Sequence, residues 1–155
     1  MEAVTRRAKR KGESSPPVAS VRALVDTSAL LALAHARDQY HARAVKIARA
    51  HQATGGRYVG TVLVLAEFHA HLLYLRGPQE TREAVRRLSS DPQHDWRAAS
   101  GDLVRDAIDR WLGRFPDQTF SLADAASFEL MRELGLKQAF AFDKRFEVAG
   151  FSLLR

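Results

Sequence analysis

The stretch from Ala23 to Val45, ALVDTSALLALAHARDQYHARAV, decides the fold. With Val21 just upstream, its first residues make a short apolar run that ends at Asp26, the pattern of a buried strand. Thr27 and Ser28 follow, and either can cap a helix that starts near Ala29 and carries Leu30, Leu31 and Leu33. Asp38 opens a second helical segment, in which Tyr40, Ala44, Ile47 and Ala48 recur at helical spacing and which Gly55-Gly56 ends. A buried strand that runs into helices, with an acid at the junction, is the opening unit of an α/β sheet.

The rest of the chain repeats that alternation. Residues 57–59 read as a brief strand, and Thr61 is a plausible N-cap for a helix over 62–75 that is apolar on most of its circumference and so expected to be deeply buried. Gly77-Pro78 separates it from a wetter helix over 79–88, and residues 95–99 read as a third short strand. Ser100 caps a helix through Leu112. Ser121 and Asp124 form a capping box for a helix over 122–134, which Gly135 closes. A strand over 138–142 ends at Asp143, and a last strand covers 151–154. Short strands separated by helices predict a small parallel sheet covered by helices, an α/β domain.

Composition narrows the chemistry. A chain of 155 residues supports one domain with a real core. The absence of Cys excludes disulfides, thiolate-held metals and thiol nucleophiles. The formal net charge is +6, and much of the excess sits in residues 1–20, MEAVTRRAKRKGESSPPVAS. That segment reads as a flexible basic arm ahead of a domain over 21–155. Its Arg6, Arg7, Lys9, Arg10 and Lys11 are candidate nucleic-acid contacts, because clustered cations release counterions from a phosphate backbone; a solubilising tail is the equally weighted alternative. No apolar window is long enough to span a membrane, and the basic start lacks an apolar signal-peptide core, so the expected location is the cytoplasm. There is no GxxxxGK loop, no GxGxxG after the first strand, and no serine in a hydrolase triad context.

The remaining signal is carboxylate. Asp26 and Asp143 each follow a strand, where loops at the carboxyl edge of an α/β sheet form ligand sites. Glu67 lies in an apolar helix, where an unpaired carboxylate is costly. Asp124 lies in the first turn of its helix, which favours an anion. Each has an ordinary reading: a helix start for Asp26, a salt bridge for Glu67, a cap for Asp124 and a surface turn for Asp143. Together they suit a shared site for a hard divalent cation, Mg²⁺ or Mn²⁺, and phosphodiester hydrolysis is the chemistry such a site implies. The histidines lack ligand spacing, and Asp102, Asp106 and Asp109 read as a surface stripe near Arg105 and Arg110, with Asp102 or Asp106 able to approach a site.

The opening stretch, VLAEFHAHLLYL (64–75), FSLADAASFELMRELG (120–135) and FAFDKRFEVAGF (140–151) resemble, in order and spacing, the four acidic motifs of PIN-domain ribonucleases, most of all the VapC-type toxins of toxin-antitoxin pairs. The resemblance implies a three-layer α/β fold with strand order 3-2-1-4-5. It also implies that Asp26, Glu67, Asp124 and Asp143 hold Mg²⁺ or Mn²⁺ and cut RNA, with Ser28 and Ser121 supporting the cluster and Arg114 as a basic residue ahead of the third motif. A homodimer and a small antitoxin partner are the implied assemblies. Relatives often carry Thr or Ser two residues before the last acid, where this chain has Ala141. The alternatives to a toxin are an RNA-processing nuclease and a catalytically inactive PIN-like binding or scaffold protein.

Overall fold

The computed structural model describes residues 21–155. Five parallel strands, β1 (Arg22–Val25), β2 (Arg57–Thr61), β3 (His94–Arg97), β4 (Gln138–Phe140) and β5 (Ser152–Leu153), form one sheet in the order β3-β2-β1-β4-β5. The sheet is the one the sequence predicts. β1 lies at its centre, and Ala23, Leu24 and Val25 are buried. Alternation sends Ala23 and Val25 to one face and Leu24 to the other, so an unbroken apolar run serves two cores.

On one face, α1 (Thr27–Ala34), α2 (His41–Ala53) and α3 (Val62–Ser90) pack Leu30, Ile47, Phe68 and Leu72 against Val25, Tyr58 and Phe140. The other face is covered by α4 (Gly101–Ala107), its π-helical continuation Ile108–Leu112, α5 (Leu122–Leu134) and α6 (Arg145–Val148). There Trp111, Phe128, Met131 and Phe146 pack with Leu24, Val59 and Ala139. Phe128 meets Phe120 and Phe146 edge-on, with ring centroids 5.1 and 5.0 Å apart, the arrangement that aromatic quadrupoles favour.

Local signals account for most boundaries. Asp26 caps α1, Thr61 caps α3 and Ser100 caps α4 through side-chain oxygens. The Ser121/Asp124 capping box is present at α5, and Gly135 ends that helix in the left-handed region at φ 65°. Gly77 interrupts α3 with φ 78°, ψ 175°, and Pro78 begins the next turn, where its missing N–H costs nothing. The third strand begins a residue earlier than its predicted start, and the second helix begins at His41 because the Asp38 carboxylate accepts the Tyr40 N–H instead of opening the helix.

One expectation is corrected. α3 is not deeply buried along its first half: Val64, Phe68 and Leu72 form its buried stripe, whereas Val62, Leu73, Tyr74 and Leu75 are exposed and Glu67 is half-buried. Apolar composition overstated the burial because only one side of this helix meets the sheet and α1.

Candidate active site

β1 pairs with β2 on one side and with β4 on the other, with Leu24 opposite Ala139 and Val25 opposite Phe140. The crossover from β1 to β2 runs through α1 and α2 on one face, and the chain reaches β4 through α4 and α5 on the other. The β1–β4 boundary is therefore where strand order reverses, and the loops beyond it splay apart to leave a crevice. Asp26 leaves the end of β1 and Asp143 follows the end of β4, on the same edge of the sheet.

Hydrogen bonds tie the four predicted acids to this edge. Asp26 is 6% exposed; its Oδ2 accepts the Ser28 backbone N–H at 3.1 Å and the Ser28 hydroxyl at 2.5 Å. Ser28 Oγ in turn accepts the Phe142 N–H at 3.1 Å, which fastens the segment carrying Asp143 to the one carrying Asp26. Thr27 donates its hydroxyl to Glu67 Oε2 at 3.0 Å, so the residue after Asp26 orients the acid on α3.

Asp124 is positioned by its cap. Ser121 N–H donates to Asp124 Oδ2 at 2.9 Å, and Asp124 N–H donates to Ser121 Oγ at 3.0 Å. Arg145 Nη1 also reaches Asp124 Oδ2, at 3.1 Å, and lies 3.3 Å from Asp143 Oδ2. Among the described residues, every hydrogen bond to the Asp124 carboxylate goes to Oδ2, which leaves Oδ1 for another partner. Capping and ligation therefore do not compete for the same oxygen.

The electrostatics are uneven. Burial pushes the Asp26 carboxyl up to about 6; the Ser28 hydrogen bonds pull it back in part, and the neighbouring Asp124 carboxylate adds to the rise. A carboxylate in that position gains from a cation near it. The Arg145 guanidinium partly answers the charge of Asp124 and Asp143, and no ion pair reaches Asp26 among the described residues.

Sequence reading missed Arg145. Its signal is local: Asp143 Oδ1 accepts the Arg145 N–H at 2.9 Å, so the acid opens α6 and the next residue but one turns its side chain back. Arg114 is exposed and lines a shallow cleft with Asp106, Asp109 and Arg110, with no hydrogen bond or ion pair to the four acids. The five basic residues of the N-terminal arm lie outside the described residues.

Of a second carboxylate group the sequence pointed only to Asp106, and Glu129 and Glu133 were missed. Carboxylate oxygens of Asp106, Glu129 and Glu133 come within 4.8 Å of one another, a spacing that could hold a metal ion. Glu129 is fully buried, and its oxygens already accept from Trp111 Nε1 at 2.9 Å, Arg132 Nε at 3.0 Å and Arg132 Nη2 at 2.6 Å, with Arg110 Nε 3.2 Å away. Two clefts differ as well. An apolar one of about 610 Å³ under α1, α2 and α3 holds none of the four predicted acids, whereas one of about 520 Å³ is lined by Ser28, Tyr40, Phe142, Asp143 and Lys144.

A three-layer α/β domain with this strand order and an acid-lined edge at the switch point defines a class, and residues 23–152 match the PIN domain; the chain belongs to that family. Within it, the chain is similar to VapC20 of Mycobacterium tuberculosis, described as a 23S rRNA-specific endonuclease in strains CDC 1551 / Oshkosh and ATCC 25618 / H37Rv. Each is 44% identical over 56 residues, 36% of this chain. The matched stretch spans only 42% of those relatives. The crystal structure of M. tuberculosis VapC20, a Sarcin-Ricin loop cleaving toxin, superposes with a TM-score of 0.75 at 29% identity, covering 83% of this chain and 95% of that one. Among the described residues no helix is long and apolar enough to cross a membrane.

Proposed function

We propose that this chain is a metal-dependent endoribonuclease, the toxin of a toxin-antitoxin pair, and that Asp26, Glu67, Asp124 and Asp143 are its catalytic acids. The observation that carries the reading is the set of hydrogen bonds joining all four to one sheet edge: Asp26 through Ser28 to the strand end before Asp143, Asp143 through Arg145 to Asp124, and Glu67 through Thr27. A structural role for each acid separately would not require them to share partners.

The donor set fits Mg²⁺ or Mn²⁺. It is all oxygen, it carries no thiolate, and one of its members is a buried carboxylate whose charge burial disfavours. Bound by these acids, the ion supplies Lewis-acid polarisation of a phosphodiester and offsets charge as the bond breaks. The chain's own part is positional. Ser28 fixes the Asp26 rotamer, Ser121 holds Asp124 at the helix terminus, Thr27 aims Glu67, and Arg145 keeps Asp124 and Asp143 close despite their like charge. Arg145 also presents a cation to an incoming phosphate.

The relatives support a substrate class. VapC20 cuts 23S rRNA at the sarcin-ricin loop, and we assign this chain the same class of target, a structured rRNA loop. The exposed Leu73, Tyr74 and Leu75 on α3 support an apolar contact with a second copy or with an antitoxin helix.

One observation favours the alternative of an inactive PIN-like binding protein: Arg145 already neutralises two of the acids. Cleavage of an rRNA loop hairpin in Mn²⁺ or Mg²⁺ separates the readings. Asp26→Asn and Asp143→Asn should remain folded and lose roughly a thousandfold in rate, the several kcal/mol that metal-assisted stabilisation contributes. Full activity in both would end the nuclease assignment for these residues.

A further inference from the structure

Next to Asp143 lies a pair of rings that the cleavage reading does not use. Tyr40, immediately before α2, stacks on Phe142 with ring centroids 4.7 Å apart and planes 4° from parallel. Tyr40 is 38% exposed, and it lines one cleft together with Phe142 and Asp143. Phe142 is half-buried and leans edge-on against Phe140 of the core at 6.1 Å.

The pair is held in place on both sides, and one of the groups that holds it, Ser28, also holds Asp26. The Asp38 carboxylate accepts the Tyr40 N–H at 2.7 Å, and His41 Nδ1 lies 2.7 Å from the Ala32 carbonyl oxygen, which fixes the start of α2 against α1. The Phe142 N–H donates to Ser28 Oγ, and the same hydroxyl donates to Asp26. The rings are thus one residue from Asp143 and one shared hydroxyl from Asp26. Two cations stand beside them: Arg43, whose Cζ is 5.8 Å from the Phe142 ring centroid, and Lys144, which lines the same cleft. Tyr40 makes no side-chain cap to α2, so helix capping does not explain the residue.

We propose that Tyr40, backed by Phe142, is a stacking platform for an unpaired nucleobase of the RNA substrate, with Arg43 and Lys144 meeting the flanking phosphates. The proposal rests on the nuclease reading and adds the residue that would hold an unpaired base of the substrate beside the acids. A paired base has both faces covered by its neighbours, whereas an unpaired base offers a free π face to an aromatic ring. Stacking tolerates any base, so the platform sets the distance from base to scissile phosphate without reading sequence. Tyr40 is accordingly a positioning residue.

The test measures binding by the full chain carrying Asp26→Asn, with end-labelled RNA oligonucleotides followed by fluorescence anisotropy. Tyr40→Ala should weaken single-stranded binding roughly tenfold, leave the slope of log affinity against log salt unchanged, and leave duplex binding unchanged; Tyr40→Trp should restore affinity. Lys144→Ala should lower the salt slope instead. Tyr40→Leu keeps apolar packing on Phe142 but removes the π face, and it should behave as Tyr40→Ala does, which separates stacking from a folding defect. Unchanged affinity in Tyr40→Leu, or an equal loss on single-stranded and duplex RNA, would overturn the platform while leaving cleavage by the unsubstituted chain intact. A chain that neither binds nor cuts RNA would overturn the nuclease reading and the platform together.

Discussion

Two groups of acids lie on this domain, and they are built on opposite principles. Around Glu129, a fully buried carboxylate is met by Trp111, Arg132 and Arg110. Burial pushes its carboxyl up, but the Arg132 and Trp111 hydrogen bonds and the two guanidinium charges outweigh that and leave it below its ordinary value. Around Asp26, an almost equally buried carboxylate has a hydroxyl, an N–H and a neighbouring acid, and it is left above its ordinary value. The first site has its countercharge inside the chain; at the second, Arg145 answers Asp124 and Asp143, and among the described residues no cation pairs with Asp26. A buried acid balanced by its own protein explains a structure, whereas a buried acid left wanting a cation points to something the protein binds. Spacing alone would have chosen the Glu129 group, because it is the one in which three carboxylates lie within 4.8 Å.

The contrast can be broken most forcefully at Glu129. Glu129→Ala strands Arg110 and Arg132 and leaves Trp111 Nε1–H without its acceptor. Breaking a buried pair costs about 3–5 kcal/mol, and the solvent reach of both arginines puts this case near the lower end. Urea unfolding should show that loss, while cleavage per folded molecule persists. A stable but inactive Glu129→Ala protein would invert the two roles.

Asp26 should behave in the opposite way. Its folded carboxyl titrates near 6 against an ordinary 3.8, so between those values the folded state holds the proton more tightly than the unfolded chain. Its contribution is fully present below about pH 3.8 and is lost as pH rises through about 6. The two-unit rise corresponds to up to about 3 kcal/mol. With chelator present, the stability of wild type relative to Asp26→Asn should therefore fall across that window, and Mn²⁺ added at pH 7 should recover part of it. A difference that stays flat with pH would mean that Asp26 is already balanced, like Glu129. The smallest effect belongs to Asp106→Asn with Glu133→Gln: both acids are exposed, and removing them should move stability by no more than about 0.5 kcal/mol.

How much of this was legible in the sequence depended on the distance over which each feature is encoded. Asp26 was legible because an apolar run ends there, and Asp124 because Ser121 stands three residues earlier in a capping box. The α/β class followed from alternation, while the order that puts β1 beside β4 came from the resemblance of the motifs. Arg145 was not legible as a partner of Asp124, since 21 residues and a strand separate them and the contact exists only once α6 folds back. Glu129 was hidden for the same reason: Trp111 lies 18 residues away, on a π-helical turn that no periodicity signals. Burial of α3 was overstated because composition counts apolar residues without saying which side of the helix meets the sheet.

Calorimetric titration of the purified chain with Mn²⁺ tests the central claim, that the cation-seeking site is the Asp26 edge and not the Glu129 cluster. The account expects binding in wild type that survives Asp106→Asn with Glu133→Gln and is lost in Asp143→Asn. Binding that survives Asp143→Asn and disappears when Asp106 and Glu133 are replaced would contradict it.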